Sequence, residues 1–198
     1  MTLPTILRVS LGYDAIRSQL MTVPIYCVAS VMVVLWATWS DWMHNRSLPL
    51  IAGCTISAIG WGIGIAYPTS GNVRYGAMFL SAFSYAAFPG NVALVSQNVG
   101  GKTKRSVAIG VQVGVGGLAG IISSNIFLAR DSPRYQLAYH LNLYFNCGAV
   151  LCASLNWFLL YLANKRKQRM IESGEAGRIP HDVLAKMGDK SPYFMYKY

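Results

Sequence analysis

Five long apolar stretches, separated by short polar loops, determine what this chain can fold into. A helix needs about 20 mainly apolar residues to cross the hydrocarbon core of a bilayer. Four of the stretches meet that requirement readily, and Ser, Asn and Gln interrupt the third. The sequence therefore predicts an all-α, polytopic membrane protein with spans at about 20–40, 48–67, 73–99, 106–128 and 137–163. Residues 1–11 are apolar without the features of a signal peptide, and they are interpreted as the end of a sixth helix.

The composition excludes several function classes. Hydrophobic residues make up 54% of the 198-residue chain and charged residues only 12%, about half the share usual in soluble domains. The net charge is +10, but the basic residues lie in loops and the tail beside apolar spans. This placement favours contact with the lipid bilayer over nucleic acid. No metal-ligand spacing, phosphate loop or nucleophile–base pair occurs in the sequence, so no metal, cofactor or enzymatic activity is expected.

The distribution of basic residues predicts the orientation in the membrane. Five spans put alternate loops on opposite sides, which divides the loops and ends into two sets. The first set comprises residues 41–47, 100–105 and the tail, and its nearby bases are Arg46, Lys102, Lys104, Arg105, Lys165, Arg166, Lys167 and Arg169. The second set has Arg8, Arg17, Arg74, Arg130 and Arg134. Eight bases against five place the first set in the cytosol.

The last 35 residues, 164–198, differ in composition from the rest of the chain. They are polar, contain three Gly and two Pro, and predict a mostly disordered cytosolic tail after a membrane domain of residues 1–163. Four aromatic residues near the end are unusual in such a segment, namely Tyr193, Phe194, Tyr196 and Tyr198. They could dock on the membrane domain or lie at the membrane interface.

Polar residues recur on single faces of the last three spans. The residues that share a face are Ser81, Ser84, Asn91 and Asn98 in the third span, Gln112 and Ser123 in the fourth, and Asn142, Asn146 and Asn156 in the fifth. They could form interhelical hydrogen bonds, worth about 0.6 kcal/mol each, or line a polar cavity for a solute. No acidic or basic residue occurs in the middle of a span, so any proton relay must lie elsewhere.

Small residues and one proline add two expectations about packing. Gly60 and Gly64 in the second span have the spacing of close helix contacts, as do pairs of glycines in the fourth span. Such pairs indicate either tight packing or a sliding contact that lets a bundle rock. Pro89 frees a carbonyl group in the third span and permits a kink there.

Several segments together resemble a known transporter family. They are Leu11-Gly-Tyr-x-Ala with Gln19-Leu-x-Thr-Val-Pro24, Asp41-x4-Arg46, Gln97-Asn-Val-Gly-Gly-Lys-Thr-Lys-Arg105, Ser124-Asn125-Ile-Phe with Asp131-Ser-Pro-Arg-Tyr135, and Asp189-Lys-Ser-Pro-Tyr-Phe194. The chain is similar to the C-terminal half of a major facilitator superfamily transporter. More narrowly, it resembles the fungal anion:cation symporter branch, which includes allantoate, nicotinate and pantothenate permeases. The loop motif departs from the family pattern at Trp42 and His44, where Arg and Gly are usual.

The resemblance implies a fold and a function. The family fold has 12 helices in two halves with the solute between them, so this chain would be a fragment that supplies helices 8 to 12 and the end of helix 7. It implies a secondary transporter of a small organic anion, such as a vitamin or nitrogenous carboxylate, coupled to protons in the full-length form. The expected partners are that anion, protons, the bilayer and the missing N-terminal half. The expected location is the plasma membrane, with a cytosolic C-terminus.

The family position of each helix implies roles for particular residues. Helices 7, 8, 10 and 11 would line the cavity, and helices 9 and 12 would support them. The candidate solute-binding residues are Asn91 and Gln112, followed by Tyr26, Ser84 and Ser123. Asp41 and Arg46 would act in gating or packing. The alternative is a truncated membrane protein without transport activity, which acts only through helix–helix interaction or is inert.

Overall fold

The computed structural model describes residues 14–67, 70–126, 135–180, 183–184 and 187–198. Its helices are α1 (Ala15–Leu20), α2 (Thr22–Trp42), α3 (Ser47–Ala66), α4 (Gly71–Ser81), α5 (Phe83–Asn98), α6 (Lys102–Ile126) and α7 (Gln136–Glu172). Short 3-10 turns follow at Ala176–Arg178 and Gly188–Lys190. The predicted end of a sixth helix, at residues 1–11, and the family segment at residues 131–134 lie outside the described residues.

Five helical stretches are long and apolar enough to cross a membrane. The first runs over Ile16–Trp42, and the third joins α4 and α5 over Gly71–Asn98. The other three are α3, α6 and α7. No strand occurs in the part of the chain that the structure describes. The predicted all-α class with five spans is therefore confirmed.

Helix α3 lies at the centre of the packing and contacts α4, α5 and α7. Its glycines permit the close approach. A Cβ atom on Gly60 would lie 2.7 Å from the Ser81 nitrogen and 2.8 Å from the Ala77 oxygen, and one on Gly64 would lie 2.5 Å from the Tyr139 ring. The spacing of these two glycines thus corresponds to tight packing, against α4 at Gly60 and against Tyr139 of α7 at Gly64.

The third span is interrupted at one residue, which the sequence did not predict. Pro89 lies inside α5, and the helix is interrupted at Ala82. There the Tyr85 amide donates to the Ala82 carbonyl oxygen at 3.0 Å. The Ser81 carbonyl oxygen accepts hydroxyl hydrogen bonds from Ser57 at 3.0 Å and from Ser84 at 2.9 Å. Side-chain hydroxyls thus satisfy the carbonyl group at the break, as apolar surroundings require.

The segment predicted as a tail is partly ordered in the described residues. Helix α7 continues past residue 163 to Glu172, and residues 187–198 return to contact the helix ends. We call the end of the bundle that they contact, formed by residues 41–47, 98–105 and 164–167, the tail face. Composition suggested disorder because this segment has few core-forming residues. Its backbone is held instead by side chains of the membrane domain, which composition does not reveal.

Candidate functional site

A crevice between α3, α5 and α7 contains two of the candidate solute-binding residues. Its volume is about 320 Å³, at the lower end of the range for small-molecule sites. Asn91 and Ser84 line it from α5, Asn156 and Cys152 line it from α7, and Cys54 lines it from α3. The remaining wall is apolar. The crevice therefore combines an apolar lining with a few polar groups, as ligand sites do.

The two α5 side chains in this crevice differ in their hydrogen bonding. The Ser84 hydroxyl donates to the Ser81 carbonyl oxygen at 2.9 Å and so contributes to the break between α4 and α5. The Asn91 side chain is half-buried and makes no hydrogen bond to any described residue. A carboxamide can donate two hydrogen bonds and accept two. Asn91 therefore has its full hydrogen-bonding capacity available to a polar ligand, as does Asn156 on the facing helix α7.

Gln112 lies on α6 and does not line the crevice. Between Lys102 and Ser123, the only described residues that are even partly buried are Ala108, Ile109 and Gln112, and α6 packs mainly against α5. The Gln112 Oε1 atom is buried and has no hydrogen-bond partner among the described residues. An unpaired buried amide oxygen costs free energy, which a ligand, water or neighbouring segment with a donor would recover.

Tyr26 and Ser123 lie apart from both of these positions. The Tyr26 ring is 46% exposed and pairs with Tyr85 of α5, their centroids 6.3 Å apart. Ser123 is exposed, and its hydroxyl donates to the Gly120 carbonyl oxygen of its own helix at 2.9 Å. The structure thus brings Asn91 and Ser84 into one crevice. It does not bring Gln112, Tyr26 or Ser123 into that crevice.

The predicted loop motif forms an ion pair at the tail face. Arg46 Nη2 lies 2.6 Å from Asp41 Oδ1. Between them His44 has a positive φ of 51°, and the Asn45 side-chain oxygen accepts the Ser47 and Leu48 amides at 3.1 Å, which caps α3. The motif therefore sets the geometry of the turn from α2 to α3. Because Asp41 is well exposed, the ion pair itself contributes little stability.

Sequence reasoning missed a buried cation at the opposite end of the bundle. Arg74 of α4 is only 3% exposed. Its Nε donates to the Tyr139 hydroxyl at 3.2 Å, and its guanidinium carbon lies 4.7 Å from the centre of the Tyr139 ring. Trp61 of α3 packs edge-on against the same ring at 5.4 Å. The sequence had suggested only a basic residue flanking a loop, because hydropathy does not report which neighbours cover a side chain.

Comparison with known proteins finds relatives along almost the whole chain. Over 198 residues it is 32% identical to the high-affinity nicotinic acid transporter of Saccharomyces cerevisiae, covering 99% of this chain and 36% of that protein. Over 202 residues it is 32% identical to MFS-type transporter cnsO of Penicillium expansum, covering 98% and 39%. Over 193 residues it is 31% identical to major facilitator-type transporter hxnP of Emericella nidulans, covering 94% and 38%. This chain belongs to the major facilitator superfamily.

The relatives confirm the resemblance to the major facilitator superfamily. The relatives are transporters and not enzymes, and the five apolar helices make the chain a multi-pass membrane protein. The chain spans 36% to 39% of the length of these three relatives. No protein-family model and no solved structure matches it.

Proposed function

We propose that this chain is the C-terminal half of a secondary transporter for a small organic anion, such as a vitamin or nitrogenous carboxylate. In this proposal the full-length protein couples uptake to protons across the plasma membrane. The observation that carries the proposal is the 32% identity to a nicotinic acid transporter over 99% of the chain. Nicotinate is a small carboxylate and therefore belongs to the proposed class.

The polar side chains of the described helices suit an anion that is bound through neutral donors. Asn91 and Gln112 each carry an amide group, and Asn91 is unpaired among the described residues. Tyr26 is accessible on α2, beside Tyr85 of α5. We assign solute contact to Asn91, Gln112 and Tyr26, with Ser84 and Ser123 in supporting positions. Because these groups carry no charge, the proton relay is assigned to the part of the transporter that this chain does not supply.

A chimeric transporter tests this function. This chain would replace the matching C-terminal part of the yeast nicotinic acid transporter, and nicotinate uptake would be measured in cells that lack their own transporter. We expect uptake by the chimera, and we expect Asn91→Ala and Gln112→Ala to lower it at least tenfold. Asn146→Ala is the matched control, since its amide donates only to the Asn142 carbonyl oxygen of the same helix, at 2.9 Å. Collapse of uptake by a protonophore is the result expected for proton coupling.

The outcomes separate the function from the site. A chimera that reaches the membrane at the parent's level but takes up no nicotinate contradicts transport by this chain in the tested context. An active chimera in which both alanine variants retain full uptake shows that the solute-contact assignment is wrong. Measuring surface abundance for every variant distinguishes these results from loss of folding.

The exposure of α6 favours a second function for the chain on its own, namely association through its helices without transport. Almost all of α6 is uncovered by the described residues, and its glycines Gly110, Gly114, Gly116 and Gly120 face open space among them. Such a surface suits close packing against another helix. Size-exclusion chromatography in mild detergent separates the two ideas. A monodisperse monomer argues against association, and a larger defined species argues for it.

A further inference from the structure

The C-terminal segment 187–198 crosses the tail face and contacts four separate parts of the membrane domain. These are the loop before α3, the end of α5, the start of α6 and the C-terminal part of α7. None of these parts is a neighbour of the segment in sequence. The contacts therefore close a long loop of chain onto the helix ends.

Two asparagines hold the backbone of the segment in the same way. The Asn164 side chain accepts the Tyr196 amide at 2.8 Å and donates to the Tyr196 carbonyl oxygen at 2.9 Å. The Asn98 side chain accepts the Lys197 amide at 2.7 Å and donates to the Lys197 carbonyl oxygen at 2.8 Å. Each carboxamide thus pairs with both polar groups of one residue, as a neighbouring β-strand would.

The ammonium group of Lys167, on α7, contacts several residues of the segment. Its Nζ donates to the carbonyl oxygens of Asp189 at 2.7 Å and Phe194 at 2.8 Å. The same atom lies 3.8 Å from the centre of the Tyr196 ring, and the Tyr196 hydroxyl donates to the Asp189 carbonyl oxygen at 3.0 Å. The carbonyl dipoles and the aromatic face favour the charge of this cation and so oppose the effect of burial, which lowers the pKa of Lys167.

The remaining contacts reach α6 and the loop between α2 and α3. Lys104 Nζ lies 2.7 Å from Asp189 Oδ1 and 2.9 Å from Oδ2. Gly100 allows the segment to pass, because a Cβ atom there would lie 2.6 Å from the Asp189 nitrogen. The Arg46 amide donates to the backbone oxygen of Tyr198. The segment is thus fixed at both of its ends.

We propose that residues 187–198 are a latch that ties the ends of α5, α6, α7 and the α2–α3 loop into one unit at the tail face. Most of the ties join side chains of the membrane domain to backbone groups of the segment, so they depend on its path. Each tie is weak alone, but all hold the same short segment. Loss of the contacts at one end of the segment therefore increases the mobility of its other end. This assignment does not depend on the transport function.

Hydrogen exchange of the whole chain in detergent, resolved to single amides by mass spectrometry, tests the latch. The amides of Tyr196, Lys197 and Arg46 each donate to a latch partner. In the parent chain we expect them to exchange at least tenfold more slowly than in an unstructured peptide. In Asn164→Ala, which removes the two Asn164 hydrogen bonds to the segment and leaves those of Lys167, we expect at least tenfold faster exchange at all three amides. The matched control is Asn146→Ala on the same helix.

A charge reversal checks the latch with a substitution at an exposed site, where folding is not at risk. The Lys104 side chain is 57% exposed, and Lys102 is an exposed lysine in the same turn of α6. We expect Lys104→Glu to speed exchange at Tyr196 and Lys197 several-fold and Lys102→Glu to leave it unchanged. The latch is contradicted if the parent segment exchanges like a free peptide. It is equally contradicted if Asn164→Ala affects the Tyr196 amide alone, or if both lysine variants behave alike.

Discussion

Single glycines in α3 determine how closely its neighbours approach. At Gly60 a Cβ atom would meet backbone atoms of α4 at 2.7 Å and 2.8 Å, so no side chain can move aside to make room. At Gly62, on the same helix, a Cβ atom would meet no described atom within 4 Å. Gly60 and Gly62 have the same helix propensity and therefore differ only in how closely atoms of a neighbouring helix approach them.

We predict that Gly60→Ala lowers the free energy of unfolding by about 1–3 kcal/mol, the usual cost of overpacking. The added methyl group must push α3 and α4 apart. Thermal or denaturant unfolding in detergent measures the change. Gly62→Ala should be neutral or slightly stabilising, because alanine favours the helix. Equal effects of the two variants would show that this helix pair is not closely packed.

The latch carboxylate provides a prediction about pH. The hydrogen bond from Lys104 holds the pKa of Asp189 below its ordinary value of 3.8. A carboxyl group whose pKa is lowered stabilises the docked state above its ordinary pKa, and that contribution is lost as the pH falls through the lowered value. We therefore expect the exchange protection of Tyr196 and Lys197, corrected for intrinsic rates, to stay constant from pH 5 to 8. Asp189→Asn should reduce it across that range, and a loss of protection near neutral pH in the parent would contradict this assignment.

At the scale of helices, periodicity identified which residues share a face but not which neighbour that face meets. Asn91 and Gln112 were both expected in one cavity. The structure places Asn91 in the crevice with Asn156 of α7, and Gln112 on the part of α6 that approaches α5. A period of 3.6 residues sets the direction of side chains around one axis. The rotation of each helix against its neighbours depends on packing, for which a single sequence contains no direct record.

The contact between α4 and α7 centres on Arg74 and Tyr139. It supports a prediction about how much this helix pair contributes to stability. Tyr139→Phe removes the hydroxyl that accepts from Arg74 at 3.2 Å and keeps the ring beneath the guanidinium. We expect a loss of about 1.5–3 kcal/mol in the free energy of unfolding, as for a buried hydrogen bond to a charged group. Tyr144→Phe on the same helix is the control, since Tyr144 is 65% exposed. Equal stability of the two variants would contradict a structural role for this contact.

At the scale of the whole molecule, the contacts sort the loops into the two ends that the basic residues had suggested. The C-terminal segment touches Arg46, Asn98 and Lys104, so those loops share an end with it. At the opposite end the Tyr75 hydroxyl donates to the Met21 carbonyl oxygen at 3.1 Å. The number of spans and the pairing of loops were thus predictable from hydropathy and charge. For the tail, the sequence left docking on the membrane domain and a position at the membrane interface both open, because the choice depends on individual hydrogen bonds.

The last prediction concerns which end faces the cytosol. The sequence predicts eight bases on the side of the tail face and five on the other side, and basic loops are retained in the cytosol. Cysteines introduced at Tyr193 and Tyr67 report the two ends, and their side chains are similarly exposed at 57% and 56%. In sealed microsomes with their cytosolic side outwards, an impermeant maleimide should label Tyr193→Cys directly and Tyr67→Cys only after detergent is added. The unmodified chain, whose four cysteines all lie within helical spans, provides the background. The reverse labelling pattern would place the latch on the outer side and overturn the orientation.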